Sequence, residues 1–178
     1  MRHVRFIPLL AALLPASASP AAAERIELLP AGSEVAFRAY GLGLLPLDGR
    51  FTRFRGWLRF ARPDHADCMV ELLIEVPSLT MGHESVRDEI LGPAFMDAAR
   101  FPGMTYRGAC EASNIQGMLT MHGVTRPFAL ALDWRAREVV AEGNLRRGDW
   151  GVAGMPILAG PTIRIRVTTP LTTTRADR

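Results

Sequence analysis

Apolar and polar side chains alternate one by one through most of this chain, the period of strands that bury one face. Residues 68–79 show it best, with Val70, Leu72, Ile74 and Val76 on one side and Glu71, Leu73 and Glu75 on the other. Upstream, residues 26–29 start a short apolar strand, and within residues 33–40 Val35, Phe37 and Ala39 oppose Glu34, Arg38 and Tyr40. Residues 41–48, rich in Gly, Leu and Pro, read as a loop or hairpin with exposed apolar side chains. Residues 49–60 read as one strand in which Phe54, Leu58 and Phe60 alternate with Arg53, Arg55, Trp57 and Arg59, and a bulge near Thr52 accounts for Phe51 falling out of phase. Residues 115–121 alternate again, and a turn over residues 123–127 brings Phe128, Leu130, Leu132 and Trp134 onto one face of a hairpin. Residues 139–145 form a further strand with a bend at Gly143, and Ile163, Ile165 and Val167 alternate with Arg164, Arg166 and Thr168 in the last.

One stretch breaks the period. From Gly82 onward Val86, Ile90 and Leu91 recur at helical spacing, and Ser85 with Asp88 has the spacing of a capping box. Gly92 and Pro93 end that helix, Phe95 and Met96 give a second helical turn an apolar side, and Phe101-Pro102 returns the chain to strand. Two short helices between strands read as a lid. About eight amphipathic strands with one helical interruption fit a sandwich or a closed barrel, and the local pattern does not separate the two.

Four motifs, in order, carry a resemblance. The run PSLTMGHESVRDEILGPAFMDAARFPGMTY (residues 77–106), GRFTRFRGWLRF (49–60), MLTMHGVTRPFALAL (118–132) and LRRGDWGV (145–152) together resemble the YceI-like family. The chain departs from the family's aromatic pair by having Phe95-Met96 there. The resemblance implies an all-β fold, an eight-stranded antiparallel lipocalin-like β-barrel with a short helical cap inserted between strands. It also implies a ligand, a polyisoprenoid or similar long apolar lipid, including one with an isoprenoid-quinone type of tail, held outside the cytoplasm with no further cofactor required. An eight-stranded barrel is just wide enough inside for packed side chains or one slender ligand. On this reading the apolar faces enclose an elongated tunnel. Phe37, Phe54, Tyr106, Phe128 and Trp134 set its bore, Ile74, Met104, Leu119, Met121 and Leu130 continue the wall, and Phe95, Met96 and Trp150 lie near its closed or gated end. Each of these side chains fits ordinary core packing equally well. Arg87 and Asp88 match the family's Arg-Asp pair and either meet a lipid head group or fix the lid to the rim; Arg147 and Asp149 share that ambiguity.

Composition then adds a compartment. Residues 1–23 place Arg2 and Arg5 before an apolar run and end in Ala21-Ala22-Ala23, the build of a secretory signal peptide. The run is shorter than the roughly 20 residues of a membrane span. Residues 24–178 are then a single domain, periplasmic or secreted. Without the leader's two Arg, the 21 basic residues become 19 against 18 acids, a formal charge of +1. All the basic residues are Arg, so P-loop, Schiff-base and lysine-nucleophile chemistry drop out. Cys68 and Cys110 flank the strands around the lid and form a disulfide if those strands pair in register, or else two buried thiols.

Catalytic signatures are thin. His65, His83 and His122 lie far apart, His83-Glu84 starts a zinc motif that fails at Val86-Arg87, and Gly-x-Ser-x-Gly is missing. No metal site and no enzymatic activity are expected. The Arg-rich faces of the strands read as solvated surface rather than a nucleic-acid site. Transient contact with a membrane surface or membrane protein, and a homodimer, are both compatible with the sequence. Two other readings stay open: an enzyme acting on a lipid or its ester through His83, Asp88 and His122, and a filled-core interaction module.

Overall fold

In this computed structural model the described residues are 23–171, apart from 42–43, 63, 112 and 155–159. The expected leader therefore lies outside the described residues, except for Ala23. Eleven strand segments and one α-helix are described. They are β1 (Ala23–Leu28), β2 (Glu34–Gly41), β3 (Leu45–Phe51), β4 (Phe54–Ala61), β5 (Met69–Glu75) and β6 (Leu79–Met81), then α1 (Glu84–Leu91). β7 (Gly103–Glu111), β8 (Asn114–Met121), β9 (Val124–Trp134), β10 (Glu138–Arg146) and β11 (Thr162–Pro170) follow.

β3 and β4 are halves of one run, as are β5 and β6. β4 pairs β5 and β3 pairs β6, so the two runs make one long hairpin, bent at Thr52–Arg53 on one side and at the 3-10 turn Val76–Ser78 on the other. From this hairpin the antiparallel ladders run through β7, β8, β9, β10, β11 and β2 and return to β3. Counted by run, eight strands surround a barrel, and β1 is added along the other edge of β4. The fold is all-β and lipocalin-like, as the sequence leads one to expect, although the segments outnumber the strands.

The corner corrects the reading of residues 49–60 as one bulged strand. Phe51 pairs with Val35 and Leu79, whereas Phe54, three residues on, pairs with Ile74. Ser78 pins the change of direction: its hydroxyl accepts the Arg53 N–H at 3.0 Å and donates to the Glu75 carbonyl at 2.7 Å, while Thr52 N–H reaches the Ser78 carbonyl at 3.2 Å. A phase slip marks a corner as readily as a bulge, because both interrupt the ladder by a residue or two.

Other boundaries shift for equally local reasons. The hairpin turn expected at residues 123–127 is the two-residue pair His122–Gly123, since both have positive φ, 51° and 74°, as a type I′ turn requires. Residues 124–127 are already strand. Within the stretch read as a loop or hairpin over residues 41–48, Leu45 already pairs Gly41, so β3 begins there against β2. α1 begins at Glu84 with His83 as its N-cap and no side-chain cap bond, so Ser85 and Asp88 do not form the expected capping box. The second helical turn of the lid is instead a string of turns over residues 92–100, with Phe95 N–H and Asp97 N–H both bonded to the Gly92 carbonyl.

The wall is uneven. β9 and β10 pair only from Ala131↔Glu142 to Trp134↔Val139, and where they part Trp150 fills the gap, edge-on to Phe128 and donating its indole N–H to the Leu119 carbonyl. Outward positions carry exposed ion pairs such as Arg38–Asp48, Arg53–Glu75 and Arg166–Glu142, the solvated face read from the Arg alternation. Among the described residues no helix is long and apolar enough to cross a membrane.

Candidate functional site

The barrel interior is not uniform along its axis. Away from the lid it is solid: Ile26, Leu28, Leu58, Phe60, Val70, Ile115 and Leu132 are buried against one another, and His65 stacks on Trp134 at 3.8 Å, with Phe60 edge-on to the same indole. Nearer the lid the side chains stop meeting. A cavity of about 420 Å³ opens between α1, the turns after it and the ends of β2, β3, β7, β8, β10 and β11. That is within the usual range of ligand pockets, roughly 300–1,000 Å³. Phe37, Leu79, Val86, Ile90, Phe95 and Met96 form much of its wall, and its polar lining is Tyr40, Ser85, Glu89 and Arg147. Below it lies a second, wholly apolar space of about 60 Å³, bounded by Leu72, Ile74, Tyr106, Leu119, Phe128 and Leu130.

Each wall segment follows from its sequence. The pleat sends Phe37 and Ala39 inward from β2, Met104 and Tyr106 from β7, Leu119 and Met121 from β8, and Ile163 and Ile165 from β11. Tyr106 lies over Gly117, whose added Cβ would come within 2.5 Å of the tyrosine ring, so the missing side chain is what seats the ring. The Tyr106 hydroxyl donates toward the Phe128 carbonyl at 3.0 Å, with the Ile115 carbonyl at 3.3 Å. Burial pushes its pKa up to about 12.

Arg147 is the buried cation of the site. Its Nε donates to the Gly160 carbonyl at 3.0 Å and its Nη1 to the Val152 carbonyl at 2.8 Å, and its guanidinium sits 5.5 Å from the Phe95 ring centroid. Burial lowers its pKa from the ordinary arginine value.

Of the thirteen side chains expected along a tunnel, ten do face the hollow region. Phe37, Phe95 and Met96 line the larger cavity, Met104 and Met121 line both spaces, and Ile74, Tyr106, Leu119, Phe128 and Leu130 line the smaller. The other three do not. Phe54 belongs to the packed core, Trp134 closes the far end on His65 and Phe60, and Trp150 is a wall filler. In place of the expected elongated tunnel the structure has a lid-end cavity with a small void beneath it. Aromatic size and inward phase predict the face a side chain takes but not its height along the axis.

Arg87 and Asp88 lie outside the cavity wall. Arg87 donates Nε to the Leu79 carbonyl at 2.7 Å and Nη2 to the Pro77 carbonyl at 3.3 Å, with Nη1 on Asp88 at 2.8 Å, so this side chain ties the lid helix to the bent hairpin. None of His83, Asp88 and His122 lines the cavity; His83 is the N-cap residue of α1 without a side-chain cap bond, and His122 packs against Phe101 at 4.6 Å. Cys68 and Cys110 are bridged, with Cα atoms 5.0 Å apart. Among the described residues no three His, Cys, Asp or Glu side chains are grouped to hold a metal.

Sequence reading missed Ala39, Leu47, Phe51, Leu145, Ile163 and Ile165 as wall, although most were visible as inward residues of their strands. It missed Glu89 and Ile90 because helical spacing fixes a face of α1 without fixing what that face covers.

Comparison with known proteins gives a consistent picture. Residues 27–171 match the YceI-like domain family. A UPF0312 protein of Vibrio parahaemolyticus is 28% identical over 132 residues, which cover 71% of this chain and 66%, just under two thirds, of the relative's own length. A UPF0312 protein of Vibrio vulnificus is 27% identical over 138 residues, 74% of this chain and 73% of the relative. Among solved structures, BcnA of Burkholderia cenocepacia superposes with a TM-score of 0.69 at 19% identity over 82% of this chain and 99% of that one. A polyisoprenoid binding domain from Saccharophagus degradans, implicated in plant cell wall breakdown, superposes at 0.56 with 12% identity, over 83% and 96% of the two chains.

Proposed function

Because this chain belongs to the YceI-like domain family, we propose that it binds the chain of an isoprenoid lipid in its lid-end cavity and carries or stores that lipid outside the cytoplasm. The observation behind this reading is the mostly apolar hollow of about 420 Å³ at the lid end of a barrel whose far end is packed. At about 30 Å³ per water-sized group, such a space takes roughly fourteen chain carbons, near three isoprene units. At roughly 0.8 kcal/mol per buried methylene, that burial offers about 11 kcal/mol before the ordering costs of binding. Tyr40, Ser85 and Glu89 are exposed at the rim. A polar head group would therefore stay at the mouth with its tail inside. The solved relative from Saccharophagus degradans is itself a polyisoprenoid binding domain, which supports the choice of ligand class.

Periplasmic location is part of the same proposal. The leader-like residues 1–23 favour it, and a Cys68–Cys110 bridge suits an oxidising compartment. An enzyme acting on the lipid through His83, Asp88 and His122 would need those side chains on the cavity wall, and none of the three lines it.

Mass spectrometry of solvent extracts from gently purified protein tests the reading. An isoprenoid should co-purify, and Ala39→Trp, which places an indole in the cavity, should cut its occupancy at least tenfold while the protein stays folded. A ligand-free native protein that also takes up no added prenol would end the proposal.

A further inference from the structure

The two apolar spaces share five wall residues: Phe51, Met104, Met121, Leu145 and Ile165. These side chains form the partition between a chamber large enough for a ligand and one that is not. Three of the five are held. Phe51 sits on a strand paired on both sides and lies against Phe37 at 6.1 Å, while Leu145 and Ile165 are short, branched side chains on paired strands. Met104 and Met121 differ. Each is an unbranched chain with three rotatable bonds, the side chain best able to re-pack around a neighbour of changing shape. They sit next to each other on β7 and β8, one step beyond the Thr105–Thr120 pair, and both are buried, at 6% and 4% exposure. Beneath them the floor is rigid, because the Tyr106 hydroxyl is tied to β8 and β9 carbonyls.

We propose that Met104 and Met121 are the chain-length stop of this pocket. The inference rests on the isoprenoid reading and adds a limit to it. The inner end of a bound chain rests on the two methionines, the larger chamber accepts about fourteen carbons at ~30 Å³ each, and any longer chain runs out through the mouth, where added units gain no burial. The smaller chamber is the reserve behind the stop. Its 60 Å³ holds about two more carbons at the same ~30 Å³ each, and truncating one methionine to alanine removes three side-chain atoms. Together these make room for about the five carbons of one isoprene unit.

The test is a ladder of all-trans prenols of increasing length, titrated into delipidated protein and read as retained prenol by mass spectrometry. For the wild type, affinity should climb to about three units and then level off, a further unit changing it less than about twofold. In Met121→Ala, and separately in Met104→Ala, the levelling should move out by one unit, with the four-unit prenol gaining at least tenfold over the three-unit one, given about fourfold per buried methylene. Met121→Phe, which fills rather than empties the partition, should instead move it inward, and this holds even if an alanine variant fails to fold. An unchanged profile in the folded variants, or a wild-type affinity that keeps climbing with length, overturns the stop while leaving the lipid-binding reading intact. Absence of uptake of every prenol by the wild type overturns both.

Discussion

Tyr106 shows how one residue can serve as structure and as cavity floor. Its ring occupies the space left by Gly117 and its hydroxyl is spent on strand carbonyls. Replacing it with phenylalanine leaves those buried carbonyls without that donor, at a cost of about 1–2 kcal/mol. The raised pKa adds a pH signature. The folded state keeps the phenol proton until about pH 12, while the unfolded chain releases it near 10.0, so the stabilisation is complete below pH 10 and is lost as pH rises toward 12. Denaturant unfolding of the wild type and Tyr106→Phe on either side of pH 10 should show the gap between them narrowing at the alkaline end; a gap that widens there would contradict the burial argument. Arg87 makes the complementary case, a charged side chain whose carbonyl partners fasten a helix to a strand end rather than reach a ligand.

Among the elements, the bent hairpin decides where the hollow lies. Because β3 and β6 leave the line of β4 and β5 at Thr52–Arg53 and Val76–Ser78, one half of the hairpin closes over packed core and the other half borders the cavity. Ser78 is the pin of that corner, and its exposure is only 3%. Ser78→Ala should cost about 1–3 kcal/mol through the unsatisfied Arg53 N–H, and should speed amide exchange at Arg53 and along β6 well before global unfolding. Unchanged protection at Arg53 would mean that the backbone bonds hold the corner by themselves. The serine stands in the sequence as the end of a strand, yet its role depends on a backbone group 25 positions earlier, which no local pattern announces.

For the molecule as a whole, stability and binding are placed at opposite ends. Met104, in the cavity wall, and Cys110, in the bridge, sit six residues apart on β7, about 20 Å along a strand. The bridge spans a sequence separation of 42, for which loop closure predicts about 4 kcal/mol. Converting both cysteines to alanine should lower unfolding free energy by about that amount and leave lipid retention unchanged at temperatures where the variant is folded. Loss of the lipid from a folded variant would show that the two ends are coupled.

The sequence by itself determined the class of fold and the inward face of nearly every strand, because a pleated strand repeats every two residues and that alternation is written in the order of side chains. It also marked the lid as a change of period, but left Cys68 and Cys110 open between a bridge and two thiols until the β5–β7 register placed them opposite each other. The height of each inward side chain along the barrel axis was decided only when the strands took their register and the hairpin bent. This is why Phe54, Trp134 and Trp150 became packing while Ala39, Leu47 and Ile163 became wall. A hollow is the volume that side chains from many strands leave unfilled, and such a remainder is a property of their joint arrangement and of no one segment's pattern.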